Sequence, residues 1–219
     1  EGRLAVVDVG DDGDVADIGA CLHKTVTAKT SANWPPVATI ETARLLLRGW
    51  RGDDVEPWIA MNADPRVSEF LGRPHSRELD VSLAESMRDR LAAHGYGWWV
   101  VEVRGGPSFA GVVALQEVPF EAPFTPAIEI GWRLAPEYWG CGYATEAARG
   151  VIRFAFESLG VDQVVAFTAA CNLRSARVMQ RLGMTNDPRD DFDHPRVEAG
   201  SRLHRHVLYR LHTARKVLE

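Results

Sequence analysis

The chain has 219 residues, 46% hydrophobic and 25% charged, with a net charge of -5. That length and composition describe one globular domain with a well-buried core, and two domains would be cramped. The mild acidic excess argues against a nucleic-acid surface, no apolar run reaches the roughly 20 residues of a membrane helix, and the scattered Cys21, Cys141 and Cys171 make neither a disulfide framework nor a zinc site.

Residues 1–39 read as an N-terminal extension. Gly and Asp recur early, and Asp8 to Asp17 carry much of the acidic imbalance. The only apolar patterning there, Leu4, Val6, Val7 and Val9, is enough for an edge strand, and Pro35-Pro36 reads as a stiff linker. No secretory pattern opens the chain, so the expected compartment is the reducing cytoplasm.

A single domain is expected over 40–213, with a short tail at 214–219. Residues 44–48 bracket a leucine run with arginine and predict a strand. Asp53 stands where an N-cap belongs, ahead of a helix over 55–61, and Asp64-Pro65 starts a short helical turn ending near Phe70. A helix over 77–94 should turn Val81, Leu83, Ala84, Met87 and Leu91 inwards. Strands over 97–103 and 109–118 are joined by the Gly105-Gly106-Pro107 turn.

The most informative stretch follows, residues 128–159. It reads as a strand over 128–134, a glycine-containing turn, and a helix. Ala144, Ala147, Ala148, Val151, Ile152, Ala155 and Leu159 repeat at helical spacing, Glu146, Arg149, Arg153 and Glu157 take the other face, and Gly160 ends the helix. Such a turn leaves backbone N–H groups unpaired at the positive end of a helix dipole, which suits a phosphate. By itself the same turn is also an ordinary strand-to-helix connection. The nearly continuous apolar run at 164–170 predicts a strand covered on both faces, 173–182 a helix stopped by Gly183, and 203–211 a final strand. This order gives a mixed α/β sheet whose central unit is a right-handed parallel crossover.

At this point residues 40–212 resemble the GNAT superfamily of acyl-CoA-dependent N-acetyltransferases, and within it the RimJ/RimL-like branch. The resemblance is carried by Thr42-Ala43-Arg44-Leu45-Leu46-Leu47-Arg48, by Glu129-Ile130-Gly131-Trp132, by Tyr138-Trp139-Gly140-Cys141-Gly142-Tyr143-Ala144-Thr145, and by Asn172-Leu173-Arg174-Ser175 leading to Leu182-Gly183-Met184. The chain departs from the family pattern at Glu137 and Cys141, which stand where a basic or amide side chain is usual. A further departure is Met179, where many members carry Tyr.

The resemblance implies a splayed, mostly antiparallel central sheet with flanking helices, and acetyl-CoA as co-substrate without a metal. The pantetheine arm would lie in the splay and pair with the backbone of Trp132, Arg133 and Leu134. The diphosphate would sit beside Trp139 on the amides of Gly140, Cys141, Gly142, Tyr143, Ala144 and Thr145, and Asn172 would meet the pantetheine arm. The amine would attack the thioester directly in a ternary complex.

Glu129, in an otherwise apolar strand, is the candidate general base, since burial raises a carboxyl's pKa towards the useful range. The alternatives are a structural carboxylate paired with Arg133 or another cation, and a side chain on the solvent face of the strand. Ser175 is the candidate acid for the departing thiolate, against a serine bonded to its own helix turn. Asn172 also fits as a helix cap. Cys141 reads as an incidental loop side chain rather than a nucleophile. His194, His204, His206 and His212 lack the paired spacing of a metal site, while Asp193 and His194 are candidates to line an acceptor pocket.

The expected function is N-acetylation of a primary amine, a protein N-terminus or a small molecule, by a chain that does not engage membranes or nucleic acid; a homodimer is compatible with this reading, and no residue specifies one. The alternatives are an acyl-CoA-binding sensor on the same scaffold and an unrelated nucleotide-binding module. The latter lacks both a Walker-type lysine and the dinucleotide glycine spacing.

Overall fold

The computed structural model describes residues 37–72 and 75–213. Most of the N-terminal extension with its expected edge strand, the tail and Cys21 lie outside the described residues. The strands are β1 (Ile40–Glu41), β2 (Leu45–Arg48), β3 (Trp98–Val103), β4 (Gly111–Glu117), β5 (Ile128–Leu134), β6 (Gln163–Ala169), β7 (Thr185–Asn186), β8 (Phe192–Asp193) and β9 (Arg205–His212). The helices are α1 (Val55–Ala63), α2 (Pro65–Ser68), α3 (Arg77–His94), α4 (Tyr143–Glu157) and α5 (Leu173–Arg181).

The strands form one sheet in the order β1-β2-β3-β4-β5-β6-β9-β7, with β8 also paired to β9. Every pairing is antiparallel except β5 with β6, which α4 connects as the expected parallel crossover. Period-two alternation along β4 and β5 separates two cores. Val113, Leu115, Ile130, Trp132 and Leu134 face α4, whose Ala147, Ala148, Val151, Ile152 and Ala155 bury the predicted stripe. On the opposite face Val112 and Ala114 pack with Trp98 and Val100 under α1 and α3. A third core, Val165, Phe167, Phe192 and Leu208 with Phe120 and Phe124, closes the β6–β9 side.

Several expectations shift. The N-cap of α1 is Asp54, not Asp53, because a 3₁₀ turn over Gly52–Asp54 precedes the helix. Its carboxylate does not cap the helix but takes the Arg48 guanidinium in two bonds of 2.7 and 2.8 Å, and both groups are buried. On α3, Val81 is only partly buried while Asp80 is fully covered. Asp80 belongs inside because its Oδ1 accepts from Asn62 Nδ2 at 3.1 Å, its Oδ2 meets His75 Nδ1 at 3.0 Å, and its carbonyl accepts from Trp58 Nε1 at 2.9 Å. Helix α4 stops at Glu157 with Ser158 as C-cap, ahead of the positive-φ Gly160. The short strands β1, β7 and β8 had no recognisable pattern in two residues each.

Candidate active site

The site begins where β5 and β6 part. β5 pairs with β4 over its whole length, Ile128↔Glu117 through Leu134↔Gly111. With β6 it pairs only at Ile128↔Val164 and Glu129↔Val165, after which β6 turns its bonding to β9. Residues 130–134 therefore face a gap on the β6 side. The Ala135 N–H donates to Ala110 O at 3.0 Å, so by alternation Arg133 also points to β4. Trp132 and Leu134 then turn their main-chain groups to the gap. Trp139 Nε1 donates to Leu134 O at 2.7 Å and joins the following loop to the strand end. Gly111 permits this close pairing: at its φ of +140°, an added Cβ would lie 2.2 Å from Arg133 O.

Beyond β5 a 3₁₀ turn at Pro136–Tyr138 leads into Trp139 and the glycine loop. Gly140 and Gly142 have φ of 78° and 81°, a region that strains any residue with a Cβ. Gly142 is the N-cap of α4, no side chain caps that end, and the first α-helical bond from Glu146 N goes to Gly142 O at 3.0 Å. The amides of Tyr143, Ala144 and Thr145 have no intrahelical acceptor and sit at the positive end of the helix dipole, as anion donors do.

Arg44 and Thr42 hold this end in place. Glu146 accepts from Thr42 Oγ1 at 2.7 Å, from Arg44 N at 2.8 Å and from Arg44 Nε at 2.6 Å. Arg44 Nη1 also donates to Cys141 O at 3.0 Å, and its guanidinium lies 4.9 Å from the Tyr143 ring centre. Partial burial opposes ionisation of Glu146, but the bonds from Thr42 and Arg44 win and hold its pKa below the ordinary value.

The third wall is α5. Asn172 caps it, its Oδ1 accepting from Ser175 N at 3.3 Å, and both residues are 8% exposed. Met179, at the position where Tyr was expected from the resemblance, is fully buried and cannot reach the site as a proton donor.

These elements enclose a cleft of ≈ 350 Å³. Trp132, Arg133, Leu134, Trp139, Gly140, Gly142, Tyr143, Ala144, Thr145, Asn172 and Ser175 all line it. Two of the expected residues do not. Cys141 is exposed, with its Sγ 3.7 Å from Trp139 O, and only its carbonyl takes part in holding the loop. Glu129 is 2% exposed, and Gln116 Nε2 donates to its Oε2 at 3.3 Å.

His194 is not at the cleft. It is fully buried against Phe120 and His206, at ring separations of 4.5 and 4.8 Å, and Asp193 is bound to Arg205 on the surface. Sequence reasoning missed the cleft's arginines, Arg66, Arg174, Arg177 and Arg181. It also missed the buried chain that fixes Arg133, whose Nη1 donates to Asn62 Oδ1 at 2.8 Å while its guanidinium stacks 5.0 Å from the Trp58 ring. The spacing of 174, 177 and 181 on one helix was a usable signal. The Asn62–Asp80 link joins residues too far apart in the chain to show any.

Among the described residues no group of three or more His, Cys, Asp or Glu could hold a metal, and no helix is long and apolar enough to cross a membrane. The family model described as the acetyltransferase (GNAT) domain matches residues 44–185. An Aspergillus fumigatus protein named FsC-acetyl coenzyme A-N(2)-transacetylase is 34% identical over 155 residues, covering 68% of this chain. This chain spans 65% of that relative's length. The Bacillus subtilis N-acetyltransferase YoaA is 26% identical over 153 residues, covering 68% of this chain and 83% of its own. Among solved structures, an Agrobacterium tumefaciens acetyltransferase superposes with a TM-score of 0.65 at 25% identity, covering 84% of this chain and 99% of that one. A Vibrio cholerae structure described as a ribosomal-protein-serine acetyltransferase gives a TM-score of 0.67 at 20% identity, covering 82% and 100%. A strand edge opened at the sheet's parallel pair, a glycine-built helix start beside it, and these likenesses lead to one assignment: the chain belongs to the GNAT acetyltransferase family.

Proposed function

We propose that this protein transfers an acetyl group from acetyl-CoA to a primary amine, as a RimJ/RimL-like member of its family. The observation that carries the reading is the opening of β5 from β6 directly onto the uncapped N-terminus of α4. One long cofactor could pair its amide-bearing arm with the Trp132 and Leu134 backbone while its diphosphate takes the amides of Tyr143 to Thr145. The positive φ at Gly140 and Gly142 supports this, since the loop keeps its amides open without Cβ atoms in front of them.

The name of the Aspergillus fumigatus relative adds support, since it describes N-acetyl transfer from acetyl coenzyme A. A small-molecule amine and a peptide N-terminus are both within this reading. The thioester supplies the activated acyl group, and the protein's part is placement and proton handling.

Only a neutral amine has a free lone pair, so a proton must leave before attack. Glu129 takes that proton through an ordered water, because its buried carboxylate is not itself among the residues that line the cleft. The Leu134 N–H, turned to the gap, donates to the thioester carbonyl oxygen and stabilises the oxyanion that forms there on attack. Ser175, buried in the wall next to the capping Asn172, gives its proton to the departing sulfur as the C–S bond breaks and recovers one from the adduct's nitrogen, so that amide and thiol leave neutral.

The test is a calorimetric titration with coenzyme A, followed by thiol release from acetyl-CoA against a panel of polyamines, amino sugars and short peptides. Micromolar affinity and release that depends on one amine class are expected. No affinity for coenzyme A, or tight binding with no release from any amine, would overturn the proposal.

A further inference from the structure

The cleft's charge is at odds with that of the chain. The protein carries a net charge of -5, yet the cleft is lined by five arginines and by no aspartate or glutamate. Two of the five are held in place within the wall: Arg66 is ion-paired to Asp64 at 2.6 Å, and Arg133 is bound to Asn62. The other three, Arg174, Arg177 and Arg181, stand on α5. Their spacing puts them along one side of the helix, with Ser175 beside them in the cleft wall and Met179 turned into the protein.

The row has a direction. Arg174 lies 4.6 Å from the Trp139 ring centre, beside the end of β5. Arg177 and Arg181 follow at roughly 1.5 Å of rise per residue, so the outermost guanidinium starts about 10 Å farther along the helix. At that end Arg149 of α4 donates to Arg181 O at 2.8 Å, which pins the end of α5 against α4 and adds a further cation. Arg177 and Arg181 make no ion pair among the described residues. Two exposed guanidinium groups aimed at one cleft, without a carboxylate between them, form a site for a doubly charged monophosphate.

Coenzyme A carries two separate phosphate features, a diphosphate and a monoester on the ribose. The α4 amides account for the first and leave the second without a partner. We propose that Arg177 and Arg181 bind the 3′-phosphate of coenzyme A and make the enzyme select it over the dephospho form. This inference rests on the acetyl-CoA reading above and adds the residues that recognise the far end of the cofactor.

Calorimetric affinities of the full chain for coenzyme A and for 3′-dephospho-coenzyme A test it, for the wild type, Arg177→Ala, Arg181→Ala and the double variant. The wild type should prefer coenzyme A by about tenfold or more, each single variant should reduce that preference several-fold, and the double variant should abolish it. Affinity for the dephospho form should change little throughout. Arg88→Ala on α3, exposed and outside the cleft, should leave the preference intact.

Equal wild-type affinity for both ligands overturns the inference and leaves the acetyl-CoA reading standing. Equal loss for both ligands in the double variant also overturns it, by assigning the arginines to the diphosphate. Failure of either ligand to bind the wild type removes the acetyl-CoA reading as well.

Discussion

The two buried histidines make the protein's stability depend on acidity in a way that can be worked out from the structure. His194 and His206 are fully buried among Phe120, Phe167 and Phe192. Their Nε2 atoms have no hydrogen-bond partner among the described residues. Burial, with lesser repulsion from His206, Arg196 and His204, pushes the pKa of His194 down to about 3. Burial likewise lowers His206 to about 4. In the unfolded chain both return to about 6.5, so the unfolded state binds more protons and stability falls as pH drops.

The contribution is complete above the unfolded value and is lost progressively between pH 6.5 and the folded values. At pH 5.0 each histidine costs about 2 kcal/mol relative to pH 7.5, and the pair about 4 kcal/mol, from about 1.4 kcal/mol per pH unit per site. That is a large share of the roughly 5–15 kcal/mol that holds a domain folded. Urea unfolding at pH 7.5 and 5.0 should show this loss in the wild type, and a His194→Phe/His206→Phe variant should lose about 4 kcal/mol less over the same interval. The carboxylates and the remaining histidines cancel in that comparison. An unchanged pH dependence in the double variant would refute the reasoning, because it would mean that these rings titrate freely or not at all.

Gly111→Ala should destabilise the fold by several kcal/mol in denaturant melts, since its Cβ would lie 2.2 Å from the Arg133 carbonyl oxygen of a paired strand. Gly142→Ala, at a φ of 81°, should cost about 1–2 kcal/mol and weaken coenzyme A binding, as read by calorimetry. Ser175→Ala should lower kcat by roughly tenfold without changing the acetyl-CoA KM, a low figure for a general acid because a thiolate leaves readily. Glu129→Gln should lower kcat by about tenfold or more with little change in the acetyl-CoA KM; an unchanged kcat would move the base elsewhere.

Patterns that repeat within one element were legible in the sequence. The stripe of α4 fixed both its type and its buried face, because Ala147, Val151 and Ile152 recur at helical spacing and meet a sheet that alternates with period two. Gly140 and Gly142 were readable because a positive φ admits few other residues. Groups defined by partners far along the chain were not readable. Asp80 looks like a surface residue of a charged helix until Asn62 and His75 are brought to it. Asp53 and Asp54 are equivalent caps on paper, and the buried Arg48 decides between them. Glu129 was correctly placed in an apolar strand, yet its absence from the cleft lining and its bond from Gln116 are set by the neighbouring strand's register, which one strand's pattern does not show. His194 suggested an acceptor pocket, and the phenylalanines that enclose it and His206 come from β6, β8 and the segment after β4.

The central claim is that main-chain amides at one strand end and one helix start grip the cofactor, and amide chemical shifts read them individually. On titration with coenzyme A, the Trp132, Leu134, Tyr143, Ala144 and Thr145 amides should show the largest changes and the slowest hydrogen exchange, with the α1 and α3 amides nearly unmoved. Saturable binding whose largest changes fall on α1 and α3, with the Tyr143 to Thr145 amides silent, would contradict the account.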